Sequence, residues 1–272
     1  NGTSNYILTS MEEDGLSFNQ ALLEAKKKGY AEKNPALDIK GFDSAHKLAI
    51  LALLGFGKSV NIKDIHVEGI ENISLSDIEY ARDFGYVIKL LAIAKNVGGQ
   101  LEARVHPTLL SKEHLLSSVS GVYNAIYVHG DYAGGTLFYG RGAGSRPAAS
   151  SVLGDIIDVA RNIKSGSIGR VPAYTADKTI KGLRPISEIE TRYYLRLSVI
   201  DRPGGLARIA DILGRQGISI ASVTQKERQQ ARIVPVVMMT HDAREKNMRL
   251  ALDEIDRLNA IKKKTVAIRV ER

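Results

Sequence analysis

The 272-residue sequence contains no cysteine, which removes disulfide frameworks and thiolate chemistry and fits a reducing, cytoplasmic setting. No run approaches ~18 uncharged apolar residues, so a membrane-spanning helix is excluded. No signal peptide opens the chain, which starts at Asn1 rather than Met; Asn1-Gly2-Thr3 reads as if cut from something longer, and we expect a fragment. The first 191 residues lack net charge, with 21 Lys+Arg against 21 Asp+Glu, so the formal +8 belongs to residues 192–272, with 17 against 9. Aromatic residues do not interleave with those scattered basic ones, as a single-strand binder requires. A solvated basic surface is expected, with no nucleic-acid and no membrane partner. The six histidines lack HxxxH or HxH spacing, so no metal site is expected.

What is present is an ordinary globular composition, 44% apolar and 25% charged, able to bury a real core. Ser17-Phe18-Asn19-Gln20 has the capping-box form and opens a helix that stops at Gly29. A second helix is expected from an Asp43 cap through SAHKLAILALLGF, apolar almost all round and therefore buried. A third, SLSDIEYARDFG, ends at Gly85. From Val87 the period changes to that of strands. One hairpin turns at Val97-Gly98-Gly99 and another at Asp131 to Gly135. A glycine cluster then opens a helix, with Ser145 or Arg146 as cap and Pro147 in its first turn.

This order predicts an α+β unit over residues 1–162, with helices packed on one face of a mainly antiparallel sheet. Residues 163–190 hold no sustained period and read as a linker. Residues 191–272 run strand, helix, strand, strand, helix, strand, the ferredoxin-like βαββαβ arrangement.

The segment GYAEKNPALDIKGFDSAHK concentrates charge between Gly29 and Lys47. Asp43 and Lys47 are four apart on one helix and share a face, near the positive end of the helix dipole. Partial burial of the lysine at a core edge would favour a neutral amine useful in proton transfer, unless Asp43 offsets it. Glu32 and Asp38 approach through turns fixed by Pro35 and Gly41. Together they could hold a zwitterionic amino acid; equally, spacing alone allows a capping Asp with a helical ion pair. Gly140-Arg141-Gly142-Ala143-Gly144 lacks the GxGxxG order of a dinucleotide loop, and as a plain turn it needs no function.

The run Ala25-Lys26-Lys27-Lys28-Gly29-Tyr30-Ala31, then Asn34-Pro35, Asp38-Ile39, Gly41, Asp43 and Lys47, closely resembles the signature of homoserine dehydrogenases. NGTSNYIL and GRGAGSRPAASSVLGDI are similar to that family too, and residues 192–272 resemble an ACT domain, a small-molecule-sensing module. The resemblance implies reversible conversion of L-homoserine and NAD(P)+ to L-aspartate 4-semialdehyde and NAD(P)H, on the route to threonine, methionine and isoleucine. It assigns Lys47 as the catalytic acid/base, and Glu32, Asp38 and Asp43 to the substrate. Gly29, Gly142 and Gly144 would lie by the cofactor, NADP or NAD. The family's main cofactor domain, a further active-site lysine and a monovalent-cation site would lie upstream of NGTSNYIL, so the chain alone is expected to show no appreciable turnover.

In ACT-like modules a small effector, threonine being the one the family suggests, binds where the first loop meets the first helix, commonly at a subunit interface; here that is Asp201, Gly204 and Gly205, facing Ile220 and Ala221. The glycines would let a carboxylate approach backbone N–H groups, and Asp201 could receive an amino group; equally, Pro-Gly-Gly merely makes the turn. A homodimer or homotetramer is expected. The alternative from another class is a non-catalytic amino-acid-sensing and oligomerisation protein, which would have no use for the Glu32–Lys47 pocket.

Overall fold

A mixed sheet whose two halves come from the two ends of the chain organises the protein. The computed structural model describes residues 1–170, 182–225 and 233–271; the middle of the expected linker and the facing ends of two expected strands lie outside them. The chain begins with α1 (Gly2–Glu13), α2 (Phe18–Lys27), α3 (Ala36–Ile39) and α4 (Phe42–Phe56). Next come β1 (His66–Val67), α5 (Leu75–Asp83), β2 (Tyr86–Val97) and β3 (Gln100–Ser111). A second hairpin, β4 (Tyr123–Gly130) and β5 (Gly134–Arg141), leads into α6 (Ser145–Lys164). The remainder forms β6 (Glu190–Ile200), α7 (Gly205–Arg215), β7 (Ile220–Thr224), β8 (Ile233–Thr240), β9 (Ala243–Arg244), α8 (Glu245–Ile255) and β10 (Val266–Glu271).

The last four long strands lie in the order β10-β6-β8-β7, all antiparallel. That is the ferredoxin-like arrangement the pattern predicts. The outer edge of β10 is not free. It pairs in parallel with β3, Arg269 opposite Thr108 and Glu271 opposite Leu110. On the same edge of β3, β1 pairs at His66–Arg104 and Leu183 at Leu101. Three separate pieces of chain thus fill one edge of β3 while β2 fills the other. Such an edge would otherwise be a template for foreign strands.

The two faces carry different cores. On one, Ile7, Leu8 and Met11 of α1 and Ile78 of α5 pack with Ile88 and Leu109, and also with Tyr194, Val237 and Ile268 from the C-terminal strands. On the other, Ile209 and Leu213 of α7 and Met248 and Ile255 of α8 cover Tyr193, Leu195, Leu197 and Met238. Alternation along β6 sends Tyr193 to one face and Tyr194 to the other. α1, α2, α4 and α5 do share one face, but α6 buries nothing against it, and the C-terminal sheet extends the same layer and the same core.

Local signals hold where chemistry is local. Ser17 and Gln20 form the capping box, and Ser74 with Asp77 forms a second. One helix is added to those the pattern outlines, and two expectations are corrected. α1 precedes the first helix that the pattern predicts; it is capped by Asn1, whose side chain accepts from Ser4 N at 2.9 Å. α4 is not buried all round: Ala45, Leu48 and Ala52 face inward, but Ile50 is 61% exposed. Neither Ser145 nor Arg146 caps α6; Gly144, at φ +119, precedes it without a side-chain cap. α6 buries none of its own side chains, and no helix among the described residues is long and apolar enough to cross a membrane.

Candidate active site

The site forms where α1 starts, α3 ends and α4 begins. α2 stops as Gly29 takes φ +75, and Tyr30 N and Ala31 N return to Ala25 O at 2.8 and 3.2 Å. Tyr30 then leans on Tyr6, with centroids 5.0 Å apart, and its carbonyl accepts from Thr3 Oγ1. Pro35 is buried and starts the single turn of α3, which carries Asp38; Ser4 Oγ donates to Asp38 O at 2.9 Å.

Gly41 makes the bend to α4. Its φ is +85, and a Cβ there would meet Val67 Cγ1 at 3.1 Å and Val105 Cγ1 at 3.2 Å. No other residue combines that backbone with so little room. Because Gly41 itself precedes the first helical residue, Asp43 sits inside the first turn and is not the expected cap. Its carboxylate is therefore turned to side chains.

Those side chains converge. Asn1 Nδ2 donates to Asp38 Oδ1 and to Asp43 Oδ2, each at 2.6 Å. Lys47 Nζ donates to Asp43 Oδ2 at 2.5 Å. Burial alone would raise the Asp43 carboxyl, but hydrogen bonds from Lys47 and Asn1 prevail and hold it below the usual carboxylate range. The expected burial of Lys47 at a core edge is absent within this chain, since its side chain is 59% exposed. Glu32 is exposed, and no hydrogen bond or ion pair among the described residues joins it to the cluster.

The glycine cluster reaches the same place through Asn124. A methyl group at Gly142 would lie 2.5 Å from Asn124 Nδ2, and one at Gly2 would lie 3.5 Å from that atom and 3.0 Å from Val122 O. Gly142 and the start of α1 thus flank one side chain at the base of the second hairpin. Asn5 secures that base, its Nδ2 directed at the carbonyls of Val119, Gly121 and Tyr123. Gly29 lies apart and exposed, with nothing within 4 Å of its Cβ position. No sequence pattern singles out Asn124, and only the NGTSNYIL stretch marks Asn1 and Asn5.

The effector residues are divided. Asp201 and Gly204–Gly205 lie at the start of α7, where Ile200 pairs with Ile233; Ile220 pairs with Thr240, seven positions along β8. That separates them by roughly 20 Å, so within one chain they do not face each other. Asp201 and Leu206 line a cavity of about 50 Å³ between α7 and the sheet. Asp201 Oδ2 is buried there with no hydrogen-bond partner among the described residues.

Residues 1–157 match the family model described as homoserine dehydrogenase, and residues 193–260 match that of the ACT domain. The chain belongs to the homoserine dehydrogenase family. It is 41% identical over its whole length to homoserine dehydrogenase of Neisseria gonorrhoeae, covering 63% of that protein. It is 45% identical to that of Helicobacter pylori, again covering 63%. A solved homoserine dehydrogenase from Thiobacillus denitrificans superposes over the whole chain with a TM-score of 0.91 at 42% identity, covering 62% of that structure. The Staphylococcus aureus enzyme does so at 0.76 and 29%, covering 64%. The chain therefore spans less than two thirds of the length of these homoserine dehydrogenase relatives, 62–64%.

Proposed function

We propose that this chain supplies the substrate site and a sensor module of an enzyme that interconverts L-homoserine and L-aspartate 4-semialdehyde with NAD(P). The carrying observation is the meeting of Asp38, Asp43 and Lys47 around Asn1 at the start of two helices. In this reading residues 1–162 are the substrate domain, 163–190 the connection and 191–272 the ACT module.

The chemistry follows from the groups present. Oxidising a carbinol needs a base at its hydroxyl oxygen, and reduction needs the same group as an acid. Lys47, as amine or ammonium, fills both roles, while Asp43 holds Nζ in place. Asp38 and Asp43 attract the substrate's ammonium, as does Glu32 if it swings inward, and fix the carbinol beside the lysine. Bound nicotinamide supplies the hydride acceptor. Gly142 and Gly144 fit its approach: both are exposed, a side chain at Gly142 would displace that of Asn124, and α6 starts without a side-chain cap. The test is homoserine-dependent NAD(P)+ reduction by the chain in its full-length context, with Lys47→Met as the inactive comparison. Activity unaffected by that substitution would defeat the assignment. A non-catalytic sensor would show no reduction in either form.

The unpartnered Asp201 oxygen favours an amino-acid effector, whose ammonium could donate to it. The β4–β5 ribbon stands as a separate two-stranded sheet and exposes Ile126, Val128 and Phe138 on one face. A lone two-stranded ribbon is marginal in water, which favours a second copy of the chain against it. Sedimentation should give a dimer or larger, and Phe138→Asp should shift it toward monomer.

A further inference from the structure

The geometry points to Arg269 and Glu68 as a positioning pair by which the last strand of the ACT-like portion holds the turn that carries Asp38 and Asp43. This rests on the functional reading above but concerns residues outside the family signature in the first segment.

Arg269 lies on β10 with its side chain 7% exposed. Its Nη1 and Nη2 donate to Glu68 Oε2 and Oε1 at 3.0 and 2.9 Å, a two-pronged clasp. Its Nε and Nη2 also donate to Glu245 at the start of α8, at 2.8 and 2.6 Å. Paired forks of this kind fix orientation as well as charge. Glu68 is tied on its other side too: its N–H donates to Val105 O at 2.8 Å, and His66 Nε2 lies 2.6 Å from Oε1.

The backbone around Glu68 is the floor of the site's turn. Ile70 N donates to Ile39 O at 2.9 Å. A Cβ at Gly69 would collide with Ile39 O and lie 2.7 Å from Lys40 Cα. Glu68 O stands 3.3 Å from the Cβ position of Gly41. Ile39, Lys40 and Gly41 are the residues that follow Asp38 and precede Phe42 and Asp43. A shift of the Glu68–Ile70 segment therefore moves the two carboxylates, and with Asp43 the ammonium of Lys47. Contacts made at close-packed backbone transmit displacement because the interior has no slack.

The seam between β3 and β10 has other ties, the backbone register and the Arg104–Glu271 pair, so loss of one clasp leaves the strands joined. That makes the role separable from stability. In the full-length protein, Glu68→Gln should lower kcat/KM for L-homoserine about tenfold while the KM for NAD(P)+ stays unchanged. Glu271→Gln, which breaks the neighbouring pair across the same seam, should lower the melting temperature without that selective loss. Gly69→Ala, which presses on Ile39 without touching either charge, should reproduce the loss. Unchanged homoserine constants in both Glu68→Gln and Gly69→Ala, or an equal loss in Glu271→Gln, would overturn the positioning role. A wild-type protein with no homoserine-dependent reduction would instead remove the functional reading itself.

Discussion

Lys47 Nζ stands 2.5 Å from Asp43 Oδ2, one turn away on the same helix, and the lysine side chain remains 59% exposed. An exposed helical ion pair of this spacing adds only a few tenths of a kcal/mol, ~0.3–0.5, so it is a poor reason to keep the residue for folding.

Function and stability should therefore separate at this position. Lys47→Met should cut kcat by about 10²–10⁴-fold, the range for removing a positioned acid/base group, and leave the melting temperature nearly unchanged. Lys47→Arg should not rescue, because a guanidinium does not give up its proton near neutrality. Steady-state kinetics and calorimetric melting of the two variants, each made in the full-length protein, check both halves.

The opposite behaviour is expected at Asp77. It is fully buried, caps α5 through Ser74, and accepts from Arg196 Nε and Nη2 at 2.6 and 3.0 Å and from Tyr194 Oη at 3.0 Å. Burial and the adjoining carboxylate push the Tyr194 phenol well above its ordinary range, so it stays a neutral donor. Asp77→Ala would strand a guanidinium inside the joint between α5 and β6, a loss of about 3–5 kcal/mol. Chemical denaturation of the chain measures it; homoserine binding should be affected only through unfolding.

The order of elements was legible because it rests on local chemistry: the Ser17–Gln20 box, the glycine turns after Val97, and the alternation of YYLRLSVI. The cluster of Asp38, Asp43 and Lys47 was reachable through its motif. What escaped was long-range. Arg269 and Glu68 are 201 positions apart, and no period in either neighbourhood announces that β10 will dock on β3. Asn1 escaped because a capping asparagine looks the same whether or not its amide bridges two carboxylates. The exposure of Ile50 escaped because an apolar stripe reads as buried without regard to what lies over it.

His106 gives a pH signature. It is buried on β3, its Nδ1 directed at Pro107 O and its Nε2 accepting from Arg104 Nε at 3.2 Å. Burial, then the nearby Arg269 and Arg104 charges, push its pKa down to about 3. The unfolded chain, titrating near the ordinary value of 6.5, thus binds one more proton than the native one between those limits. Stability is unaffected above the upper limit and falls as pH drops through the window. Glu245, brought down to about 2 mainly by Arg269 against the opposing effect of burial, adds its own loss only below the ordinary glutamate range. Between pH 6.5 and 5 the histidine effect is expected to be about 2 kcal/mol. His106→Gln, which keeps an acceptor for Arg104, should flatten that part of the denaturation profile, and an unchanged slope would refute the assignment.

Asp201 carries a buried, unpartnered carboxylate oxygen just before α7 among the described residues. A buried carboxylate oxygen without a donor costs free energy, and the about 50 Å³ beside it holds a water or an ammonium group but not a whole amino acid. An effector bound there must keep its remainder outside the cavity, toward the glycines at the start of α7 or toward a second copy of the chain. The measurement belongs on the whole chain, because β10 is paired to β3 and an excised C-terminal module would bare that edge. Calorimetry should register heat with threonine or a related amino acid, and Asp201→Asn, which keeps the shape but removes the charge, should abolish it. Should the wild-type chain give no heat with any of these amino acids, the loop is a turn and the effector assignment is wrong; should Asp201→Asn bind as well as wild type, the ammonium is received elsewhere.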